Sequence, residues 1–109
     1  MHLPYALWRR ISAVKVQSYL LNDAHPDGGG KAASFKGFGF VSDNTEALMT
    51  ALFDHPIRNP VSELTTTPYG GKYVVRGTLE TPDGSNPNVE TIWIVEADQR
   101  PRLATASIV

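Results

Sequence analysis

A histidine and a lysine six residues apart, in the most glycine-rich stretch of the chain, are the residue types best suited to chemistry. His25 precedes a proline within DAHPDGGGK, and Lys31 ends that stretch. An imidazole titrates near neutral pH and can move a proton, and an ammonium group beside exposed backbone amides can bind a phosphate. The pair is therefore a candidate acid–base and phosphate-binding site. The ordinary alternative is that His25 only hydrogen-bonds locally in a turn.

The second half of the chain offers side chains that suit RNA binding. Arg76 lies in the middle of a predicted strand, where a guanidinium group can clamp a phosphate. Tyr73 and Trp93 are aromatic residues on which bases can stack. Thr105 and Ser107 alternate along the last predicted strand, so both can donate hydroxyl groups to one site.

Each of these residues also has an ordinary explanation. Arg76 can form a cross-strand ion pair with a glutamate such as Glu90 or Glu96. A tryptophan in a strand is more often part of the core than a stacking platform, and alternating hydroxyl residues commonly face solvent. The residue types alone leave these alternatives open.

Familiar nucleotide and metal motifs are absent from the sequence. GGGK lacks the spacing of a phosphate-binding loop, and GFGF lacks the third glycine of a dinucleotide fingerprint. The three histidines are too scattered to ligate one metal ion. His55 follows a helical pattern and is interpreted as a helix-end residue. We expect neither a metal nor a cofactor.

Helical periodicity is confined to the first half of the chain. Val16, Tyr19 and Leu20 fall on one face and predict a short helix over 15–21. A second helix is predicted to open at Lys31 and to end at glycines 37 and 39. A third is predicted to start with a capping box formed by Asp43 and Glu46 and to end at Pro56.

The period changes to that of strands after residue 60. Runs rich in β-branched residues, separated by turn residues, predict strands over 61–67, 72–79, 89–96 and 102–109. Four strands with short links form an antiparallel meander, so we expect an α+β fold in which N-terminal helices pack on this sheet. We expect a single domain over 1–109, with 1–12 as an extended N-terminal segment.

Composition narrows the classes of function. The chain has 109 residues, no cysteine, a formal net charge of -1 and a pI of about 6.3. A disulfide scaffold and a thiolate metal site are therefore excluded, and any contact with nucleic acid must come from a local basic patch. The N-terminus is not typical of a signal peptide, and no run is long enough to span a membrane, so we expect a cytoplasmic protein that does not bind membranes.

Three segments together resemble a known bacterial family of small domains. They are YLLNDAHPDGGGKAASFKGFGF, TPYGGKYVVRGTLETPDG and VETIWIVEADQRPRLATA. The resemblance lies in a YLLN-x-x-HP-x-GG-x-KA motif, a G-x-KY strand, a W-I strand and a final RLVTA-like strand. Similar domains occur at the C-terminal ends of polymorphic toxins and resemble the barnase–EndoU–colicin–RelE group of metal-independent ribonucleases.

This resemblance implies an active cleft on the open face of the sheet. Position by position, it implies catalytic roles for His25, Lys31 and Thr105. It implies substrate binding by a set of aromatic, basic and hydroxyl residues: Tyr73, Arg76, Trp93 and Ser107. The alternatives are a non-catalytic module of the same fold that binds a protein partner, and a homodimer that buries an apolar sheet face.

Overall fold

The computed structural model describes residues 1–22, 24 and 29–109, and its fold is α+β. A 3-10 turn, Ala6–Trp8, comes first. The helical turn Ala13–Lys15 continues directly as a π-helical segment, Val16–Leu20, and the two together are called α1. The remaining elements are α2 (Gly29–Gly37), α3 (Thr45–Arg58), β1 (Val61–Thr67), β2 (Gly70–Thr78), β3 (Asn88–Val95) and β4 (Arg102–Ile108).

The four strands form one antiparallel sheet in the order β1-β2-β3-β4, which confirms the predicted meander. Each strand lies within two residues of its predicted bounds. The N-terminal segment is not simply extended, since it contains the 3-10 turn and then makes a parallel bridge from Arg10 to Arg102 at the outer edge of β4. The main-chain N–H of Leu103 donates to the carbonyl of Arg10.

The core lies between the helices and one face of the sheet. Trp93 is fully buried at the centre of this face, with Val75, Val89 and Leu103 on it. The helices contribute large apolar side chains from α1, α2 and α3: Leu20, Phe35, Leu48 and Leu52. Because side chains alternate along a strand, the other face carries Arg76, Glu90, Thr105 and Ser107.

Two predictions about α3 were wrong. Pro56 does not end the helix but lies inside it, which continues to Arg58. The N-cap is Asn44, whose side chain accepts a hydrogen bond from the N–H of Ala47, so Asp43 and Glu46 do not form the predicted capping box. Among the described residues, no helix has the length and apolar content that crossing a bilayer requires.

The second helix starts two residues earlier than predicted. Gly29 and Gly30 form its first turn, and Lys31 is its third residue, while its end at Gly37 agrees with the prediction. Glycine is tolerated at a helix start more readily than in the interior, because the first turn has fewer hydrogen bonds to lose.

The C-terminus of α3 packs directly on the backbone of β2. Asn59 follows the helix, and its side-chain amide donates to the carbonyls of His55 and Thr78 at 3.0 and 3.1 Å. A Cβ atom at Gly77 would lie 2.9 Å from the Cβ of Asn59 and closer still to its Oδ1 and Cγ. Gly77 is therefore required by this close approach.

Candidate functional site

The structure brings Lys31 and Thr105 into direct contact. The Nζ of Lys31 donates a hydrogen bond of 2.8 Å to the Oγ1 of Thr105, although the residues are 74 positions apart in the chain. Thr105 pairs with Ile92 across the sheet, so its hydroxyl lies on the face opposite the core. Because β4 is an outer strand, Lys31 reaches that hydroxyl from beside the sheet.

Lys15 lies next to this pair. It projects from α1, and its Nζ donates to the carbonyl oxygen of Ala104, one residue before Thr105. Partial burial lowers the pKa of Lys15, and the neighbouring charges of Arg102 and Lys31 lower it further. Cations held close together repel one another in the absence of a bound anion, so their clustering points to anion binding.

A surface pocket of about 410 Å³ opens beside these groups. It is lined from α1 and from β4, by Val14, Lys15, Ser18, Tyr19, Ala104 and Thr105. The Nζ of Lys31 lies 5.5 Å from the centre of the Tyr19 ring. The pocket therefore combines the ammonium group of Lys15, hydroxyl groups and an aromatic ring, with Lys31 in contact with its wall. These are the groups that recognition of a phosphate with an attached base requires. We call Lys15, Lys31, Tyr19 and Thr105 the β4-edge cluster.

Arg76 and Ser107 lie on the same face as Thr105 but outside this cluster. The guanidinium group of Arg76 is held by Glu90 at 2.8 Å and by Glu63 at 3.2 Å, and both carboxylates raise its pKa. The cross-strand pair with Glu90 matches one of the alternatives considered from the sequence. Ser107 lies opposite Glu90 on β4.

Trp93 and Tyr73 are neighbours on the core face. They pair across β2 and β3, and Trp93 has no exposed surface, whereas Tyr73 is half-buried. The indole N–H of Trp93 donates to the Oγ1 of Thr91 at 3.0 Å. A base cannot stack on Trp93, because its ring is enclosed on all sides, and Tyr73 lies on the same core face, away from the β4-edge cluster.

His25 lies outside the described residues, together with Asp23, Pro26, Asp27 and Gly28. The described structure therefore gives no distance from His25 to Lys31 or to Thr105. The role of His25 stays a prediction.

A buried imidazole in the core was missed by the sequence analysis. His55 lies in the last turn of α3, in agreement with its interpretation as a helix-end residue, but its side chain is only 1% exposed, which the sequence did not indicate. Its Nε2 faces the carbonyl of Gly77 at 3.0 Å and must therefore carry the hydrogen, while its Nδ1 accepts from the hydroxyl of Thr91 at 2.9 Å. With the bond from Trp93 to Thr91, this completes a donor–acceptor chain through the core.

The described residues do not group enough side chains of the types that ligate a metal ion to form a metal site. Within residues 1–22, 24 and 29–109, no three His, Cys, Asp or Glu side chains come close enough together to ligate one. What the β4-edge cluster presents instead is positive charge and hydroxyl groups, which repel a cation and attract an anion.

A comparison with protein families shows which family the chain belongs to. A model for a domain of unknown function, DUF6883, matches residues 3–109. The chain belongs to this family. Among curated proteins, none was found to be similar to this chain.

A chain of known structure has the same fold as this DUF6883 domain. It is a chain from a contact-dependent growth inhibition toxin–immunity protein complex of Klebsiella pneumoniae 342. The two superpose with a TM-score of 0.71 at 20% sequence identity, over 89% of this chain and 96% of that one. At this identity the likeness shows a common fold.

Proposed function

We propose that this DUF6883 domain is a toxin-type, metal-independent endoribonuclease that binds the scissile phosphate of RNA at the β4-edge cluster. The observation that carries the proposal is the hydrogen bond from Lys31 to Thr105. These two residues were selected as catalytic from the sequence, and they meet across 74 positions beside a pocket. The fold shared with a chain from a toxin–immunity protein complex supports a toxin-related role.

The local charge supports an anionic substrate in a protein whose net charge is -1. The positive charges of Arg102 and Lys31 are both close enough to Lys15 to lower its pKa, after the larger effect of its burial. A phosphate group that entered this field would relieve their mutual repulsion and gain charge-assisted hydrogen bonds.

In the proposed reaction the 2′-oxygen attacks the adjacent phosphorus, and the bond from phosphorus to the 5′-oxygen breaks. One proton leaves the 2′-hydroxyl for a general base, and one is delivered to the departing 5′-oxygen by a general acid. His25 is proposed for one of these proton transfers. Lys31 stabilises the additional negative charge on the phosphorane, and the hydroxyl of Thr105 orients a phosphate oxygen.

Tyr19 and Lys15 also belong to the proposed site, although the sequence did not predict either of them as a site residue. Tyr19 lines the pocket and is proposed to stack on a base next to the cleaved phosphate, as aromatic residues do in proteins that bind single strands. Lys15 is proposed to neutralise the same phosphate from the side of α1.

The test is cleavage of a labelled RNA oligonucleotide in excess chelator, followed by identification of the product ends. We expect a 2′,3′-cyclic phosphate product, and a loss of about 100-fold in rate for Lys31→Met and for His25→Ala. Thr105→Val, which preserves shape, should also be impaired. Lys36→Met is the matched control, because Lys36 lies on the same helix but lines a different pocket.

Two results would reject the nuclease. One is the absence of cleavage by the wild-type protein, and the other is equal cleavage by the Lys31→Met variant with an unchanged melting temperature. Cleavage that requires a divalent cation would reject the metal-independent mechanism.

A protein-binding role is the second candidate, and the toxin–immunity protein complex is the observation that favours it. On this hypothesis the domain acts by binding a protein partner and has no activity on RNA. Wild-type protein that binds no RNA but forms a stable complex with a protein encoded beside it would support this role over the first.

A further inference from the structure

A second pocket adjoins the β4-edge cluster along the same strand. It measures about 270 Å³ and is lined by Arg10, Ile11, Ser12, Lys15, Arg102 and Leu103. Lys15 borders both pockets, so they are neighbours separated by one lysine side chain. The second pocket is also basic, because Arg10 and Arg102 both contribute to its wall.

The pairing of the N-terminal segment with β4 creates this second pocket. The N–H of Arg10 donates to the carbonyl of Pro101, and the carbonyl of Arg10 accepts from the N–H of Leu103. The segment then turns away into α1, whose N-cap is Ser12. Arg10 is thereby fixed beside Arg102 by main-chain hydrogen bonds, independently of its own side chain.

Within the part of the chain that the structure describes, the two arginines are paired with exposed carboxylates. Arg102 lies 3.5 Å from Glu96, and Arg10 lies 3.1 Å from Asp98, with about two-fifths of each side chain exposed. Exposed ion pairs of this kind contribute little to stability, because solvent screens them. Both guanidinium groups can therefore exchange a carboxylate for a phosphate at low cost, and guanidinium groups bind phosphates with two parallel hydrogen bonds.

The spacing of the two pockets fits consecutive phosphates. Arg102 lines one pocket and Thr105 the other. A β-bulge in β4 lets these two residues pair with Ile94 and Ile92, so both lie on the same face and are two residues of β3 apart, about 6.6 Å. That distance is close to the separation of successive phosphates in an extended single strand of RNA. A lone nucleotide would fill only one of the pockets.

We propose that the pocket between Arg10 and Arg102 binds the phosphate next to the one held at the β4-edge cluster, so that the substrate class is single-stranded RNA lying along β4. This inference rests on the proposed function and adds a second phosphate site to it. Arg10 and Arg102 are binding residues for the neighbouring phosphate, and they do not take part in the chemical step.

The experiment compares two non-cleavable 2′-O-methyl oligonucleotides by calorimetry in chelator. The dinucleotide has one internal phosphate and the trinucleotide has two, and neither has a terminal phosphate. We expect the wild-type protein to bind the trinucleotide about tenfold more tightly, the gain typical of one charge-assisted contact. Arg10→Gln and Arg102→Gln should each remove most of this gain, and Arg10→Gln should leave the affinity for the dinucleotide unchanged.

A salt titration gives an independent readout for the trinucleotide. Loss of one phosphate contact should reduce the slope of log K against log salt by about 0.7 in the Arg102→Gln variant. Arg10→Gln serves as a second variant, since its main-chain pairing to β4 does not depend on its side chain. Arg58→Gln is the matched control, because Arg58 is an exposed arginine that is also paired with a glutamate, Glu80.

The outcomes separate this inference from the proposed function. If Lys31→Met weakens the binding of both oligonucleotides while Arg102→Gln and Arg10→Gln weaken the binding of neither, the second phosphate site is rejected and the proposed function stands. If the wild-type protein binds neither oligonucleotide, both fail. Equally tight, Arg102-dependent binding of a triglutamate peptide would overturn the assignment to RNA.

Discussion

Mild acid should destabilise this protein through one buried imidazole, that of His55. Burial lowers the pKa of His55, and the backbone carbonyls of Gly77 and Val89 oppose the shift only in part. The neutral ring fits the core because Nε2–H donates to Gly77 and Nδ1 accepts from Thr91. A second proton on the ring would place a hydrogen against the Thr91 hydroxyl and a charge in an apolar core.

The direction of the effect follows from the lowered pKa. The unfolded chain binds a proton at His55 more readily than the folded protein does. The contribution of His55 to the free energy of unfolding is therefore fully present above the unfolded pKa of about 6.5 and is lost as the pH is lowered. One histidine contributes at most about 1.4 kcal/mol per pH unit. If the ring stays neutral in the fold, the loss reaches about 1.4 kcal/mol at a pH of about 5.5.

Urea unfolding followed by tryptophan fluorescence measures this loss. We expect the free energy of unfolding to fall between a pH of about 7.5 and about 5.5 by roughly 1.4 kcal/mol more in the wild-type protein than in His55→Gln. His2→Gln, at an exposed histidine, should retain the wild-type dependence. Nitrogen NMR of the imidazole should show the Nε2–H tautomer throughout. Equal pH dependence in the wild-type protein and His55→Gln would refute the reasoning.

Three substitutions test the packing of the fold by urea or thermal unfolding. Gly77→Ala should lower the free energy of unfolding by about 1–3 kcal/mol, because the added methyl group overlaps Asn59, which follows α3. Gly37→Ala, which has open space around the added methyl group, should lower it by nothing. Equal effects of the two substitutions would contradict the close approach of α3 to β2. Asn44→Ala should cost about 1 kcal/mol and Asp43→Ala much less, and the reverse order would restore the predicted capping box. Thr91→Val should cost about 1–3 kcal/mol, since it leaves two buried nitrogen groups without a partner, and a neutral result would show that the chain of hydrogen bonds is not needed.

The sheet could be predicted closely from sequence, and the helix ends could not. Runs of β-branched residues bounded by glycine, proline and asparagine mark strands by local chemistry, which is why all four were found. The end of α3 depends on tertiary contacts instead. Pro56 lies in the last turn and is buried among core residues, so packing holds the helix together past a residue that normally stops one. Asn59 then ends the helix by donating to the carbonyl of His55.

The residues of the candidate site could be predicted from the sequence only in part. Lys31 was singled out by its place in the glycine-rich stretch and Thr105 by its hydroxyl group in the last strand, and a family resemblance implied catalytic roles for both. Nothing in their separation of 74 residues indicates that they are in contact. Lys15 and Arg102 carry no local pattern that separates them from ordinary surface cations. They join the site because the N-terminal segment pairs with β4, and that pairing is a long-range feature.

Core and surface positions in the sheet were also hard to separate. Trp93 and Ile92 are adjacent apolar residues, and their pattern does not say which face the helices cover. The buried network through His55 depends on the register that places Thr91 beside it, and no short-range signal encodes that register.

The most direct test of RNA binding at the β4 edge is a chemical-shift titration of isotopically labelled protein with a non-cleavable 2′-O-methyl RNA oligonucleotide. We predict that the largest shifts occur at Thr105, Lys31 and Tyr19, and that they are lost in Thr105→Val. Shifts that cluster around Arg76 and Glu90, or an absence of shifts at saturating RNA, would contradict the account.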